Sequence, residues 1–345
     1  MSEPQSIEDL IVGWEVYLQR MFLDAVYAMR DRAQIGLLAQ MLERGDIEGA
    51  VRAVGLDPVD FRGLEAGIAT AFEAGGRLTT TQIPGTKDPS GYVLKIQFDV
   101  RAPEAEAFLR SHSAQQVVEI NDDQRAMLRQ HLTVAMEEGR NPRTVASEVV
   151  GKVNPATGRR EGGVLGLASS QVEWVHSYEA RLRSGDPAEM KKALEMTLRD
   201  KRFDKTVEKA IREGSPIPAE KIDRMVVSYR NRALTYRSET IGRLEAMTAL
   251  SEGRDQAWRQ AIAKGQVRAE HLIKTWKTAK DEKVRGTHRV LEGKIVGFDE
   301  SFLSPSGAML RYPHDPKAPG YEIIGCRCTA SYRLDYTGKI RRGDA

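Results

Sequence analysis

Cysteine is nearly absent from this 345-residue chain: there are two, Cys326 and Cys328, with a single residue between them. Neighbours that close form a strained bridge, and one such pair cannot build a disulfide framework, so a disulfide-stapled secreted domain is excluded and a reducing cytosol is expected. Long apolar runs are also missing. No window approaches the roughly 18 consecutive apolar residues of a membrane helix, so no membrane partner is expected. The acidic start, Met1 to Asp9, lacks the basic opening and apolar core of a secretory leader. Lysine is absent from the first 75 residues. Nowhere is there a P-loop, a GxGxxG after a strand, an HExxH or a GxSxG, so the nucleotide-binding and hydrolase classes that use them find no support.

What is present is a soluble composition, 41% hydrophobic and 29% charged, long enough for two or three modest domains. The net charge of +3 is unevenly spread: residues 1–75 hold thirteen acids against six arginines, a net −7, which leaves +10 on the rest. Such asymmetry fits ends that face different partners, the basic part beside nucleic acid, and equally fits ordinary solvated helix faces.

Apolar residues from Ile7 to Met29 recur at helical spacing, and shorter helical runs follow at 35–42, 47–54 and 61–72. A turn-rich stretch then gives way to alternation over Tyr92–Val100, a strand pattern. Val117–Ile120 reads as a second strand, with Asn121 capping a helix to about Glu138. Residues 152–166 read as a loop. From Pro218 to about Lys264 only Gly242 and Gly253 interrupt a pattern rich in Arg and Glu, which predicts one very long helix or two stacked ones. After Gly265 strands and loops take over. The expected organisation is an acidic helical module at 1–75, a small strand/helix segment at 76–124, a helical region at 125–265 and a compact module with the CxC motif at 266–345. The fold class is α+β and predominantly α-helical: a helical N-terminal module, long central helices and a small C-terminal α+β module with short strands.

Residues that carry chemistry crowd between Trp276 and Cys328. On a helix over 279–291, Asp281, Arg285 and His288 fall at i, i+4 and i+7 on one face, where the first two would form an ion pair. In an extended segment Cys326 and Cys328 point to one side and Arg327 to the other. Two thiolates so placed, with His288 as third ligand and Asp281, His314 or Asp315 as a further one, would hold a tetrahedral Zn²⁺. Two other readings are a pair of small buried packing residues and a thiol nucleophile with His288 as base, although no helix begins at either cysteine to activate it.

In order, Trp276, Asp281, Arg285, His288, Leu291 and Gly293 give a Trp followed by Asp-x-x-x-Arg-x-x-His-x-x-Leu-x-Gly, and Gly325-Cys326-Arg327-Cys328 closes the segment. This resembles the signature of the phage minor head protein family of the phage Mu F type. Arg237-Ser238-Glu239-Thr240 resembles the Arg-Thr-Glu-Thr that opens the preceding helix of that family, and Gly166–Gln171 matches more loosely. Ser238 stands for the usual Thr and Gly325 for the common Asn. The resemblance covers about residues 125–330 and leaves 1–120 outside. It implies a head-morphogenesis protein without catalytic turnover, whose partners are the portal protein, capsid or scaffold proteins and double-stranded DNA. It also implies assembly in the host cytoplasm and residence in the virion, in the capsid interior near the portal. The competing classes are a metal-dependent hydrolase or nuclease using the His/Asp/Cys cluster, and an internal DNA-binding protein.

Overall fold

The computed structural model describes residues 6–87, 93–94 and 97–338. The chain opens with α1 (Ile7–Arg32), α2 (Ile35–Glu43), α3 (Ile47–Val54) and α4 (Arg62–Gln82), then a minimal hairpin, β1 (Thr86–Lys87) and β2 (Val93–Leu94). Next come α5 (Pro103–Glu137), α6 (Pro142–Val150) and a second hairpin, β3 (Lys152–Val153) and β4 (Arg160–Glu161). Helices α7 (Ser169–Arg183), α8 (Pro187–Glu195), α9 (Asp204–Glu213) and α10 (Ala219–Ala263) follow. The C-terminal part holds β5 (Leu272–Lys277), α11 (Gly286–Arg289), β6 (Ile295–Gly297), β7 (Phe302–Leu303), β8 (Met309–Leu310), α12 (Gly320–Ile323) and β9 (Thr329–Leu334). This is a predominantly helical α+β fold. No helix among the described residues is long and apolar enough to cross a membrane.

Two compact units emerge. One comprises residues up to Met21, Gly63–Gln115 and Glu239 onward; the other comprises Phe22–Arg62 and Gln116–Ser238. Helices α1, α5 and α10 supply residues to both.

Two local expectations are corrected. Val117–Ile120 is not a strand but lies within the 35-residue α5. Val117, Ile120, Gln124, Leu128 and His131 are buried, a 3.6-residue period that outweighs the β-branched Val117, Val118 and Ile120. Asn121 accordingly is no cap; it is buried in mid-helix and its amide donates to the Val117 carbonyl at 2.9 Å. The strand expected over Tyr92–Val100 falls partly outside the described residues; within them only Val93–Leu94 is strand, and Gln97–Asp99 is not. Of the two readings for 218–264, the single long helix is the one found: α10 runs through Gly242 and Gly253 unbroken for 45 residues. Gly253 instead lets the helix press against Phe72 of α4, while Gly75 of α4 lies against Leu250, so a Cβ on either would strike main chain.

In the second unit Asn141-Pro142 and Asp186-Pro187 start α6 and α8 by the same device. A side-chain oxygen accepts a main-chain N–H, 3.0 Å from Arg143 and 2.9 Å from Ala188, and proline fixes the first helical residue. The segment 152–166 is anchored by a residue with no local signal. Arg30 is buried on α1 and donates to the carbonyls of Leu165 (2.9 and 2.6 Å), Gly163 (2.8 Å) and Arg160 (3.1 Å). Burial lowers its pKa to about 10, which still leaves it a cation. Gln124 adds an N–H to the Leu167 carbonyl and accepts from Gly166. An open cavity of about 1120 Å³ lies between α6, α7 and α10 in this unit; its basic and acidic side chains balance, so it carries no single-sign field for a charged ligand.

In the first unit the C-terminal strands form an antiparallel sheet in the order β6–β5–β9, with Trp276 opposite Ala330 and Thr275 opposite Ser331. β7 and β8 form a separate hairpin. Two apolar clusters hold this region. One gathers Ile83, Trp258, Val267, Leu272 and Phe298; the other gathers Trp276, Leu291, Phe302, Leu310 and both cysteines.

Candidate functional site

The motif that the sequence singles out is assembled in one place, but not as the helix face expected. Lys280 adopts a left-handed backbone (φ 55°), and only Gly286–Arg289 makes a helical turn. A helix over 279–291 therefore does not form, and Asp281 does not pair with Arg285. Asp281 sits in the turn before α11 and takes both arms of the Arg327 guanidinium, at 2.5 and 2.6 Å. The Arg327 guanidinium holds the Asp281 carboxyl below its usual range. Arg285 instead donates to the carbonyls of Tyr321 and, at 2.6 Å, Ile324, satisfying groups left open at the C-terminal end of α12.

The placement of Cys326, Arg327 and Cys328 does follow the alternation read from sequence. Arg327 turns outward to Asp281; both thiols turn inward to His288. The His288 Nδ1 lies 3.3 Å from Cys326 Sγ and 3.5 Å from Cys328 Sγ. All three side chains are buried, their ligating atoms lie within 4.8 Å of one another, and both cysteines are free thiols. The other ring nitrogen, Nε2, donates to Glu322 at 2.6 Å. Glu322 is a member of this cluster that sequence reasoning missed. Burial pushes its carboxyl up, yet hydrogen bonds from Ser306, Ser304 and His288 outweigh this and hold it below the ordinary range. With Nε2 carrying the proton, the Nδ1 lone pair faces the sulfurs. The Cys328 N–H also points to Cys326 Sγ at 3.3 Å. The hydrogen bond between the two thiol groups draws the Cys326 pKa down and pushes that of Cys328 up, so the pair holds one proton more firmly than the other.

Trp276 covers this cluster. It is fully buried on β5, its ring meeting His288 edge-on at 5.1 Å and Phe302 at 5.2 Å. Gly293 closes the turn into β6 with φ 73°, and its N–H reaches the Trp276 carbonyl at 3.0 Å. A side chain there would be strained by backbone conformation alone. His314 is buried with φ 64°, and neither ring nitrogen has a hydrogen-bond partner of ordinary geometry, although the Cys326 main chain is close enough to favour its protonated form. Burial, opposed by that contact, lowers its pKa to about 3. Asp315 is not available to a metal: Arg311 takes it at 2.7 and 3.0 Å. The space beside the His and Cys side chains, walled by Ala279, Lys283, Val284 and Arg285, is only about 10 Å³. That holds an ion or one water, not a substrate.

The upstream motif belongs to the other unit up to Ser238. Arg237 is largely buried; it pairs with Asp123 at 2.9 Å and reaches the Gly166 carbonyl at 3.3 Å. Gln171 donates to the Ala233 carbonyl at 2.8 Å. The loosely matching segment Gly166–Gln171 and Arg237 are thus parts of one contact. Glu239 is exposed on α10.

The profile of a family described as Phage Mu protein F like protein matches residues 126–331, more than half of the chain. Minor head protein GP7 of Bacillus phage SPP1 is 34% identical over 96 residues, which cover 26% of this chain and 29% of that relative. No solved structure matches. The residues matched by the family profile take in Arg237 with Gly166 and the buried His/Cys cluster, and the chain belongs to the phage Mu protein F-like family of minor head proteins.

Proposed function

We propose that the chain acts in phage head morphogenesis as a minor head protein, docking on the portal or the capsid interior without catalytic turnover. The observation that carries this reading is how the family motif is used. Trp276, Asp281, Arg285, His288, Cys326 and Cys328 are all engaged in contacts within the C-terminal module, and the space beside them is about 10 Å³. A hydrolase or nuclease site needs a cleft that admits its substrate, typically hundreds of Å³. The outer surface of the module has the character of a docking face. It exposes Val290, Tyr321 and Ile324, and the cross-strand pair Leu303 and Met309 on β7 and β8. Large apolar side chains left in water are what a protein contact would cover.

The charge distribution favours packaged DNA as a further neighbour, since residues 76–345 carry +10. Phosphate contacts of that kind are sequence-independent and weaken steeply with salt. The chain would then be made and assembled in the host cytoplasm and remain in the virion.

The test is co-expression with the portal protein encoded in the same phage or prophage, followed by affinity purification through a tag on this chain. Portal protein should co-purify, and Tyr321→Ser with Ile324→Ser should reduce its recovery while leaving the fold intact. A wild-type chain that recovers neither portal nor capsid protein would overturn the docking reading. Retention on double-stranded DNA that does not change with salt would remove DNA from its neighbours.

A further inference from the structure

We propose that His288 Nδ1, Cys326 Sγ and Cys328 Sγ, completed by His314, bind one structural Zn²⁺ that locks the C-terminal module. The inference stands independently of what the module docks on.

Three observations carry it. The first is spacing. A tetrahedral zinc with Zn–S of about 2.3 Å and Zn–N of about 2.0 Å has N···S edges of roughly 3.5 Å. The two N···S edges in the structure are 3.3 and 3.5 Å, close to that length, and all three donors lie within 4.8 Å of one another. The second is orientation. Glu322 accepts the Nε2 proton of His288 and is itself held by Ser304 at 3.0 Å and by Ser306, so the imidazole is fixed in the tautomer that ligates through Nδ1. A carboxylate behind a ligating histidine is the usual outer support of zinc. The third is the orphaned donor. His314 lies buried beside the Cys326 main chain, and neither ring nitrogen has a hydrogen bond of ordinary geometry, a cost that a metal bond to one of them would reduce. It lies outside the 4.8 Å set, yet near enough to His288 and the Cys326 main chain to feel both, and in this proposal it turns to the metal on binding.

The alternatives within reach are otherwise engaged. Asp281 is exposed and bound to Arg327, and Asp315 is bound to Arg311. On binding, the two thiols release their protons to solvent, and two thiolates with two neutral imidazoles leave Zn²⁺ electrically balanced, as a buried site requires. Thiolate and imidazole donors in a tetrahedron favour zinc over the hard cations. With His314 as fourth ligand the site is closed and structural, and the space of about 10 Å³ beside His288 and the cysteines leaves no room for a substrate.

The full-length chain, purified without chelator, should contain one zinc per chain by elemental analysis. After zinc removal, Co²⁺ should bind and give thiolate-to-cobalt charge-transfer absorption together with intense tetrahedral d–d bands. Cys326→Ser with Cys328→Ser should abolish both. Because that variant is at risk of misfolding, two milder ones carry the decision. Glu322→Gln, a positioning change, should keep the cobalt spectrum and weaken zinc binding by about 10- to 100-fold. His314→Asn, which tolerates the left-handed backbone, should shift the d–d bands and weaken binding, whereas Asp281→Asn should do neither. A well-folded chain that holds no zinc as purified, binds none on titration and shows no cobalt–thiolate absorption overturns the site. An unchanged spectrum and affinity in His314→Asn overturns the fourth ligand, and metal loss in Asp281→Asn overturns the ligand set.

Discussion

Replacing Trp276 by alanine should loosen the C-terminal module more than any other single truncation within it. The indole is completely buried and meets both His288 and Phe302 edge-on, so its removal opens a cavity between the sheet and the His/Cys cluster. Truncation of a buried aromatic costs about 3–5 kcal/mol. The ring nitrogen has no hydrogen-bond partner, so nothing polar is lost with it. That gives a second, sharper expectation: Trp276→Phe keeps the aromatic contacts, sheds an unsatisfied donor and should cost only about 1–2 kcal/mol. Because the chain has two compact units, a single melting temperature is a poor readout, and amide hydrogen exchange resolved to peptides is the better assay. In Trp276→Ala, protection of the β5 and β9 amides should fall by roughly 100-fold or more, with Trp276→Phe intermediate. Exchange in β5 and β9 that stays within a few-fold of wild type in the alanine variant would refute the claim that this ring is the core of the module.

Arg30→Met should leave the Gly163 and Leu165 carbonyls buried without donors, at about 1–3 kcal/mol for each. The readout is faster exchange of the Val164 and Leu165 amides, which bond to the carbonyls of Glu148 and Val149 at the end of α6. His131 is fully buried, and burial lowers its pKa well below 6.5, with Arg230, His176 and Arg140 acting in the same direction. Its ring stacks on His176 and stands 3.9 Å from Glu148. Since the unfolded chain takes up a proton that the folded one refuses, stability is complete above about pH 6.5. Below that it falls by up to about 1.4 kcal/mol per pH unit until the folded value is reached. Denaturant titrations of wild type and His131→Phe between pH 7 and 5 should show a shallower fall in the variant; parallel curves would contradict the assignment.

How far the sequence disclosed this structure depends on the range of the interaction concerned. The periodicity from Pro218 to Lys264 announced a long helix, and α10 is that helix. The inward turn of Cys326 and Cys328 followed from alternation alone. Signals failed where a contact closes a long loop. Glu322 meets His288 across 34 residues and Arg30 meets Leu165 across 135, and neither residue sits in a local pattern that sets it apart. The spacing of Asp281, Arg285 and His288 misled for a different reason. It fits a helix face, but the left-handed backbone at Lys280 breaks the run, and each polar group finds a distant partner instead. Val117–Ile120 misled because β-branched residues favour strands in isolation, whereas burial at every third or fourth position across α5 decides the element.

The central claim is that this chain is a minor head protein whose motif builds a module for docking rather than for catalysis. Quantitative mass spectrometry of density-purified particles from the phage or induced prophage that encodes it tests that claim most directly. The chain should be present at a low, constant number of copies per portal, and should stay with the particles through high-salt washing. A chain abundant in the lysate and missing from the purified particles would contradict the account.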